Sequence, residues 1–117
     1  MLGSTGSVGR QALDVCRHRN IKVTALSAGS NISLLEEQIR EFSPGLCAVA
    51  DGRAAADLAV RVADTGTRII SGKNSAEVIA SEADADTVLN SVSGIAGLRP
   101  TLAAIRAGKR LALANKE

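Results

Sequence analysis

Apolar residues follow two different spacings along this chain, and the two spacings alternate. Continuous apolar runs such as KVTALSA at 22–28 are typical of buried strands, whereas apolar residues three and four apart are typical of amphipathic helices. The pattern predicts strands at 22–28, 46–50, 67–71, 87–92 and 110–114, and helices at 7–18, 33–42, 52–64, 75–82 and 98–107. Strands that alternate with helices form right-handed βαβ units, so we expect an α/β fold with a parallel sheet covered by helices on both faces.

The helices carry signals for which face is buried. In the first helix the apolar stripe predicts an inward face made of Val8, Ala12, Val15 and Cys16. In the second helix the inward stripe is Leu35, Ile39 and Phe42.

Helix ends are also marked. Ser33 with Glu36 three residues later forms a capping box, and Asp51 can cap the third helix. Pro100 is tolerated in the first turn of the fifth helix, and Gly108 ends it.

Composition supports a buried parallel sheet in one domain that spans residues 1–117. Hydrophobic residues make up 45% of the chain, yet Phe42 is its only aromatic residue. The core must therefore be built from Ala, Val, Leu and Ile, which suits a sheet buried on both faces.

Charge and motif content exclude several classes of protein. A net charge of +2 on scattered residues, with one aromatic ring, argues against nucleic-acid binding. The sequence has no run long enough to span a membrane and no signal-peptide pattern, so we expect a cytoplasmic protein without a membrane partner. Cys16 and Cys47 are expected to be buried thiols, and the sole histidine, His18, sits at a helix end. No histidine triad or zinc site can be assembled.

A glycine-rich segment opens the chain. GSTGSVG at 3–9 places glycines at three-residue spacing directly before the first helix, as in dinucleotide-binding turns. There the glycines permit a tight turn, a close approach to a pyrophosphate and close helix packing, and the helix N-terminus attracts the phosphates. The spacing is G-x-x-G-x-x-G rather than G-x-G-x-x-G, so an ordinary glycine-rich turn stays open at this point.

The turn normally follows a strand, but only Met1 and Leu2 precede it. In the usual dinucleotide-binding sheet the strands lie side by side in the order 3-2-1-4-5-6, so the first strand is central. In this sequence that strand is nearly missing. With Glu117 directly after the last strand, both ends look cut, and we interpret the chain as a fragment of a longer enzyme. We expect a marginal, aggregation-prone fold, or one that is stable only when another segment supplies the missing strand.

The residues that follow the predicted strand at 22–28 favour one dinucleotide. NAD-binding folds carry an acid about 20 residues past the glycines, but here the sequence reads Gly29, Ser30 and Asn31. No carboxylate repels a 2′-phosphate, so NADP(H) is favoured over NAD(H). The alternative is that these residues form only a turn with a helix cap.

Four segments together resemble a known family. GSTGSVG at 3–9, AGSN at 28–31, SGIAGLRPTLAAIRAG at 93–108 and LANKE at 113–117 are similar to the N-terminal domain of the 1-deoxy-D-xylulose 5-phosphate reductoisomerase family. The resemblance implies a Rossmann-like, doubly wound NADPH-binding domain. It also implies that the full-length enzyme is an oxidoreductase of isoprenoid biosynthesis that forms 2-C-methyl-D-erythritol 4-phosphate.

The resemblance also implies the roles of particular residues. The cofactor-binding residues are Thr5, Gly6, Ser7 and Val8 at the pyrophosphate, Gly29, Ser30 and Asn31 at the adenosine ribose and its 2′-phosphate, and Asn115 and Glu117 near the reactive end. Lys116 reaches the sugar-phosphate substrate. Members of the family often carry Lys at the position of Ser30, which places the strength of 2′-phosphate binding in question.

The family also uses a divalent cation (Mg, Mn or Co), whose carboxylate ligands follow the LANKE segment. No catalytic residue or metal ligand is therefore assigned within residues 1–117, and this fragment alone is expected to be inactive. The full-length enzyme is expected to be a homodimer.

Two other readings stay open. The chain could be the cofactor domain of another NADP-dependent reductase of the homoserine dehydrogenase or dihydrodipicolinate reductase type. It could also be a nucleotide-binding module without catalytic activity.

Overall fold

The computed structural model describes residues 1–114. Helices and strands alternate along it as the sequence predicts. The helices are α1 (Ser7–Arg19), α2 (Ile32–Phe42), α3 (Gly52–Arg61), α4 (Ser75–Glu82) and α5 (Leu98–Arg106), and the strands are β1 (Ala25–Ala28), β2 (Leu46–Val49), β3 (Arg68–Ser71), β4 (Thr87–Asn90) and β5 (Arg110–Leu113). A short 3₁₀ turn, Gly94–Gly97, leads into α5.

The strands form a parallel arrangement in which Leu2 is the central link. β1 pairs with β2 and β2 with β3, while β4 pairs separately with β5. Leu2 makes parallel bridges to Ser27 on one side and to Asn90 on the other. Counted with Leu2 as the first strand, the resulting order β3-β2-β1-Leu2-β4-β5 is 4-3-2-1-5-6 rather than 3-2-1-4-5-6. The short first strand is central in a parallel, Rossmann-like doubly wound sheet, which confirms the predicted fold class.

Two apolar clusters cover the two faces of this sheet. One combines residues of α1, α2 and α3 with Leu26 and Val49, and the other combines residues of α4 and α5 with Leu2 and Val88. The buried residues of both clusters are aliphatic except for Cys47 in the first, which also has Phe42 at its margin. This division explains why the strands read as continuous apolar runs rather than alternating ones.

The predicted inward face of α1 is confirmed for Cys16, which packs on the first cluster, but is wrong for Val8 and Val15. The buried residues of α1 are Gly9 and Leu13, while Val8 and Val15 are 45% and 55% exposed. Gly9 lies against the backbone of Gly3, and this contact sets the rotation of the helix about its axis. Part of the predicted stripe (Ala12, Val15 and Cys16) instead lines an open cleft beneath the helix.

The capping box predicted for α2 is also wrong. The helix begins one residue earlier than the pattern indicated, and Asn31 is its N-cap, with Oδ1 accepting a hydrogen bond from the N–H of Leu34 at 3.3 Å. Glu36 instead forms an ion pair with Arg40 one turn later. The inward positions Leu35 and Ile39 are buried as expected.

The other end signals are confirmed. The Asp51 carboxylate accepts hydrogen bonds from the N–H groups of Arg53 and Ala54 at 2.9 and 3.1 Å. Gly108 follows α5 with a φ of +73°, a conformation that favours glycine.

Both cysteines are free thiols. Cys47 is fully buried, and loss of solvation raises the pKa of its thiol to about 12. Cys16 is half-buried. Within residues 1–114, no helix has the length and apolar content that a membrane crossing requires.

Candidate functional site

Three loops meet at the carboxyl edge of the sheet, the edge at which α/β proteins bind ligands. The first is the glycine turn at 3–9, which follows Leu2. The second is the loop at 29–31 after β1, and the third is the loop at 91–97 after β4. Because Leu2 lies between β1 and β4, the glycine turn is flanked by the other two loops.

The glycine turn is held to its neighbours through backbone contacts. The N–H groups of Gly3 and Ser4 both donate to the carbonyl oxygen of Ser27 at 3.0 Å. Gly3 has a φ of +77°, and a Cβ at this position would lie 2.9 Å from Oγ of Ser91. A side chain at Gly3 would therefore be strained and would displace the third loop.

Gly9 and Gly6 serve different purposes. A Cβ on Gly9 would lie 2.1 Å from the carbonyl oxygen of Gly3, so this glycine allows α1 to pack directly on the turn. A Cβ on Gly6 would meet nothing nearer than that same oxygen at 3.6 Å. Gly6 is exposed, and the space in front of it is open for a ligand.

The N-terminus of α1 has no side-chain cap. Gly6 is the N-cap residue, and no side chain accepts a hydrogen bond from the first turn. Gly6, Ser7 and Val8 are exposed and Thr5 is half-buried, so these predicted residues lie together where α1 begins. Amide N–H groups and the positive end of the helix dipole are suited to a phosphate group.

The second loop places its predicted residues at the same edge. Gly29, Ser30 and Asn31 are all exposed. Asn31 uses its side chain to cap α2, which is the turn-and-cap role that the sequence had left open. The carbonyl oxygen of Gly29 accepts a hydrogen bond from the N–H of Asp51 at 3.1 Å, which joins this loop to the N-terminus of α3.

The sequence analysis did not single out Asn90, the last residue of β4, which holds the third loop in place. Asn90 is fully buried, and its Nδ2 donates to the carbonyl oxygen of Gly97 at 2.9 Å and to Oγ1 of Thr101 at 2.8 Å. Its Oδ1 accepts from the N–H of Val92 at 3.1 Å. The signal in the sequence was a polar residue, Asn90, at the end of an apolar strand. A polar side chain buried in such a place is normally hydrogen-bonded, which indicates a structural role.

Ser91 joins the third loop to the glycine turn. Its Oγ donates to the carbonyl oxygen of Leu2 at 2.8 Å and lies 3.2 Å from that of Gly3. From the opposite face, Nε2 of the buried Gln38 donates to the carbonyl oxygen of Ser4 at 2.9 Å. The turn is therefore positioned by β1, β4 and α2 together.

The predicted tail residues Asn115, Lys116 and Glu117 lie outside the described residues. Ala114, the last described residue, lies beside the end of β4, where its N–H donates to the carbonyl oxygen of Asn90 at 3.0 Å. Among residues 1–114, no group of three or more carboxylate, histidine and cysteine side chains could hold a metal ion. Assignment of the cation to residues outside this chain stays a prediction.

Comparison with known proteins identifies the family. A family model described as 1-deoxy-D-xylulose 5-phosphate reductoisomerase matches residues 1–117. The chain belongs to this family. The resemblance drawn from the four sequence segments is therefore confirmed.

Individual relatives agree with the family match. The 1-deoxy-D-xylulose 5-phosphate reductoisomerase of Ruminiclostridium cellulolyticum is 45% identical over 117 residues, which is all of this chain and 31% of that protein. The same enzyme from Zymomonas mobilis, solved in complex with NADPH, superimposes with a TM-score of 0.91 at 34% identity over 98% of this chain and 31% of that one. A DOX-P reductoisomerase in complex with NADPH, fosmidomycin and magnesium gives a TM-score of 0.92 at 40% identity, covering 99% of this chain and 29% of that one. The chain thus spans about 30% of the length of these proteins.

Proposed function

We propose that this chain is the NADPH-binding part of an enzyme that rearranges and reduces 1-deoxy-D-xylulose 5-phosphate to 2-C-methyl-D-erythritol 4-phosphate. The observation that carries the proposal is the uncapped N-terminus of α1 behind the open glycine turn. The family match and the NADPH complex of the Zymomonas mobilis relative support the choice of ligand.

The residues present fit a dinucleotide. No side chain makes a capping hydrogen bond at the N-terminus of α1, and Gly6 leaves room for a pyrophosphate to approach the backbone. The N–H groups of the first turn of α1 would hold the phosphates, with Thr5 and Ser7 beside them. Gly9 keeps the helix close enough for its dipole to act on that site.

The adenosine end would lie over the loop at 29–31. Gly29, Ser30 and Asn31 present no carboxylate there, so a 2′-phosphate meets no repulsion from this loop. Arg53 stands at the start of α3, two residues after Asp51, whose N–H is bonded to Gly29. We therefore propose Arg53 as a cation that offsets the absence of a lysine at Ser30.

Bound NADPH supplies the hydride for the reduction. This chain binds and orients the cofactor, and Asn115 and Glu117 are proposed to contact it near the reactive end while Lys116 binds the sugar phosphate. The divalent cation (Mg, Mn or Co) and its carboxylate ligands are proposed to come from residues that this chain does not contain. The assembled enzyme is proposed to be a cytoplasmic homodimer.

Coenzyme preference tests the proposal. In calorimetric titrations of this chain we expect NADPH to bind more tightly than NADH. Ser30→Asp should reverse the preference by placing a carboxylate against the 2′-phosphate, whereas Ser81→Asp, on α4, should leave it unchanged. Equal affinities for both coenzymes, or a preference for NADH in the unaltered chain, would contradict the choice of cofactor.

The glycine turn offers a second test. Gly6 has an ordinary φ of −77° and open space around its Cα, so Gly6→Val should leave the fold intact while its side chain blocks the pyrophosphate. We expect at least a tenfold loss of NADPH affinity, about 1.4 kcal/mol, with unchanged circular dichroism. Gly66→Val, at another open position, is the matched control. Unaltered NADPH affinity in Gly6→Val would mean that the turn is only structural.

A further inference from the structure

Within residues 1–114, the buried side chain of Gln38 makes a single hydrogen bond, and that bond goes to the glycine turn. The exposed fraction of Gln38 is 5%, and its Nε2 donates to the carbonyl oxygen of Ser4 at 2.9 Å. Its Oε1 is buried as well and accepts no hydrogen bond from residues 1–114. Burial of an amide with an unpaired oxygen adds little stability, because that oxygen has given up its hydrogen bonds to water. The stability of α2 therefore does not explain why a glutamine occupies this position.

The bond to Ser4 fixes which way round the amide of Gln38 lies. With Oε1 in the place of Nε2, two oxygen atoms that can only accept would face each other at 2.9 Å. The nitrogen therefore faces Ser4, and the amide acts there as a donor. Ser4 is fully buried, and no other residue of the described part of the chain donates to its carbonyl oxygen. Gln38 thus keeps this carbonyl group paired.

The carbonyl group that Gln38 holds belongs to the central peptide of a tight turn. The N–H of Gly6 donates to the carbonyl oxygen of Gly3 at 3.2 Å, so residues 3–6 form a β-turn. This bond closes the turn at its two ends but does not fix the peptide between Ser4 and Thr5, whose orientation differs between turn types I and II. Thr5 does not have the positive φ that type II requires. The bond from Gln38 stabilises the orientation that the turn has adopted.

Fixing the carbonyl group of Ser4 also fixes the N–H of Thr5. The two groups belong to one planar trans peptide and point in opposite directions. Since the carbonyl group points toward α2, the N–H points away from it. No residue among 1–114 accepts a hydrogen bond from this N–H. It is a donor available for a ligand, one residue before the N-cap of α1.

We propose that Gln38 is a positioning residue for the cofactor: by holding the carbonyl group of Ser4, it directs the N–H of Thr5 toward a pyrophosphate oxygen of the dinucleotide. This role rests on the proposed NADPH site and adds to it a residue that acts through the turn. Helix α2 then serves the site twice. Its N-cap Asn31 belongs to the loop proposed for the ribose, and Gln38 holds the turn proposed for the pyrophosphate.

The first test compares two ligands on the 117-residue chain. NADP⁺ contains the pyrophosphate, whereas adenosine 2′-phosphate lacks it and retains the groups proposed to lie over the loop at 29–31. Gln38→Met keeps the approximate size of the side chain but removes the donor. We expect this variant to bind NADP⁺ about tenfold more weakly in calorimetric titrations, and adenosine 2′-phosphate less than about twofold more weakly in NMR titrations. Gln11→Met, at an exposed position of α1, should leave both affinities unchanged.

The two ligands separate the ways in which the test can fail. Unchanged NADP⁺ binding in Gln38→Met would overturn the role of Gln38 and leave the proposed function in place. An equal loss for both ligands would assign the effect to general damage of the fold, and would also overturn this role. If the unaltered chain bound neither ligand, the proposed function itself would fail, and the role of Gln38 with it.

A pH profile tests whether donation from position 38 is what matters. In Gln38→Glu the ionised carboxylate cannot donate to Ser4, whereas the protonated acid can. Burial and the facing carbonyl oxygen of Ser4 raise the pKa of the introduced carboxyl group, so it is protonated at mildly acidic pH. The charged side chains along the neighbouring groove between α1 and α2 are exposed and of both signs: Arg10, Asp14, Arg17, Glu37 and Glu41.

The quantity to measure is the Kd of NADP⁺ for the variant divided by that for the unaltered chain at the same pH, because the 2′-phosphate also titrates. For Gln38→Glu we expect this ratio to be about ten or more at pH 8 and to fall to about two at pH 5.5. For Gln11→Glu it should stay near one throughout. A ratio for Gln38→Glu that does not change with pH would show that the donor is not what the turn requires, and would overturn the role of Gln38.

Discussion

The same two strands, β1 and β4, meet very different surroundings at their two ends. At the carboxyl end, Leu2, Gly3 and Ser4 join them through backbone hydrogen bonds of 2.8–3.0 Å, and Ser91 and Gln38 add side-chain bonds to the same turn. At the amino end they border a cleft of about 1210 Å³ that no described residue crosses. The proposed cofactor site is therefore built on the closed end, while at the other end residues of α1 and α4 line the cleft.

The difference shows how little strand is needed to position a turn. Leu2 is fully buried and bridges both neighbours, so a single residue sets the register of the glycine turn against the other two loops. Leu2 does not cover α1, however, and the α1 residues Val15 and Cys16 line the cleft. Ligand geometry and fold stability thus depend on different ends of the same strands.

The largest expected effect comes from breaking the closed end at Gly9. Gly9→Ala places a Cβ 2.1 Å from the carbonyl oxygen of Gly3, and because the clash is with backbone, α1 must move off the turn. We expect a loss of about 3 kcal/mol or more in the free energy of unfolding, measured by urea denaturation, together with loss of NADPH binding. Gly52→Ala, where nothing lies within 4 Å, should be neutral or stabilising. Comparable stability in both variants would show that α1 does not depend on this contact.

A smaller effect is expected from pH, and it reports on the open end. Burial lowers the pKa of the Met1 amino group from 8.0 to about 6, so between these values the unfolded chain binds the proton more tightly. The free energy of unfolding should therefore rise between pH 6 and 8, by about 2–3 kcal/mol at most, and be lost again as the pH falls. Thermal melts across this range measure it. Acetylation of the amino group should remove the slope, and an unchanged slope after acetylation would assign it to other groups.

The smallest of the three effects is the loss of stability expected from Asn90→Ala, which tests what holds the third loop in place. Asn90→Ala removes the bonds to Gly97, Thr101 and Val92 from a fully buried position, and we expect a loss of about 2 kcal/mol. Asn74→Ala, at the N-cap of α4 where the side chain makes no capping bond, should cost less than 1 kcal/mol. Chemical denaturation of the two variants gives the comparison. A cost for Asn90→Ala no larger than that of Asn74→Ala would mean that the third loop holds its shape without this side chain.

Much of the fold and part of the site could be predicted from local pattern. The alternation of apolar runs and helical stripes predicted all five strands and all five helices of residues 1–114, because each element carries its own period. GSTGSVG and the acid-free loop at 29–31 indicated two of the three loops at the carboxyl edge. The Asp51 cap was predictable for the same reason, since its hydrogen bonds reach only two and three residues along the chain.

The errors fall where distant residues compete with local pattern. Asn31 rather than Ser33 caps α2, so the cap lies two residues earlier than the capping box indicated. The face of α1 was misassigned because the contact of Gly9 with Gly3 outweighs the apolar stripe. Ser91 was missed because its partners Leu2 and Gly3 become neighbours only when β4 lies beside Leu2. Asn90 was missed because its bonds to Gly97 and Thr101 form only once the chain turns back from β4 into α5.

The sequence by itself determined the elements, their order, the parallel class of the sheet and the family, since these depend on periodicity and on short motifs. Only the tertiary structure decided that Leu2 is the one described residue bridging the two halves of the sheet, that α1 turns Val15 toward a cleft, and that Ser91 and Gln38 hold the glycine turn from opposite sides. The physical reason is range. A period or a cap is decided within one or two turns of chain, whereas the contact between Ser91 and Leu2 joins residues 89 apart and exists only once the sheet has formed.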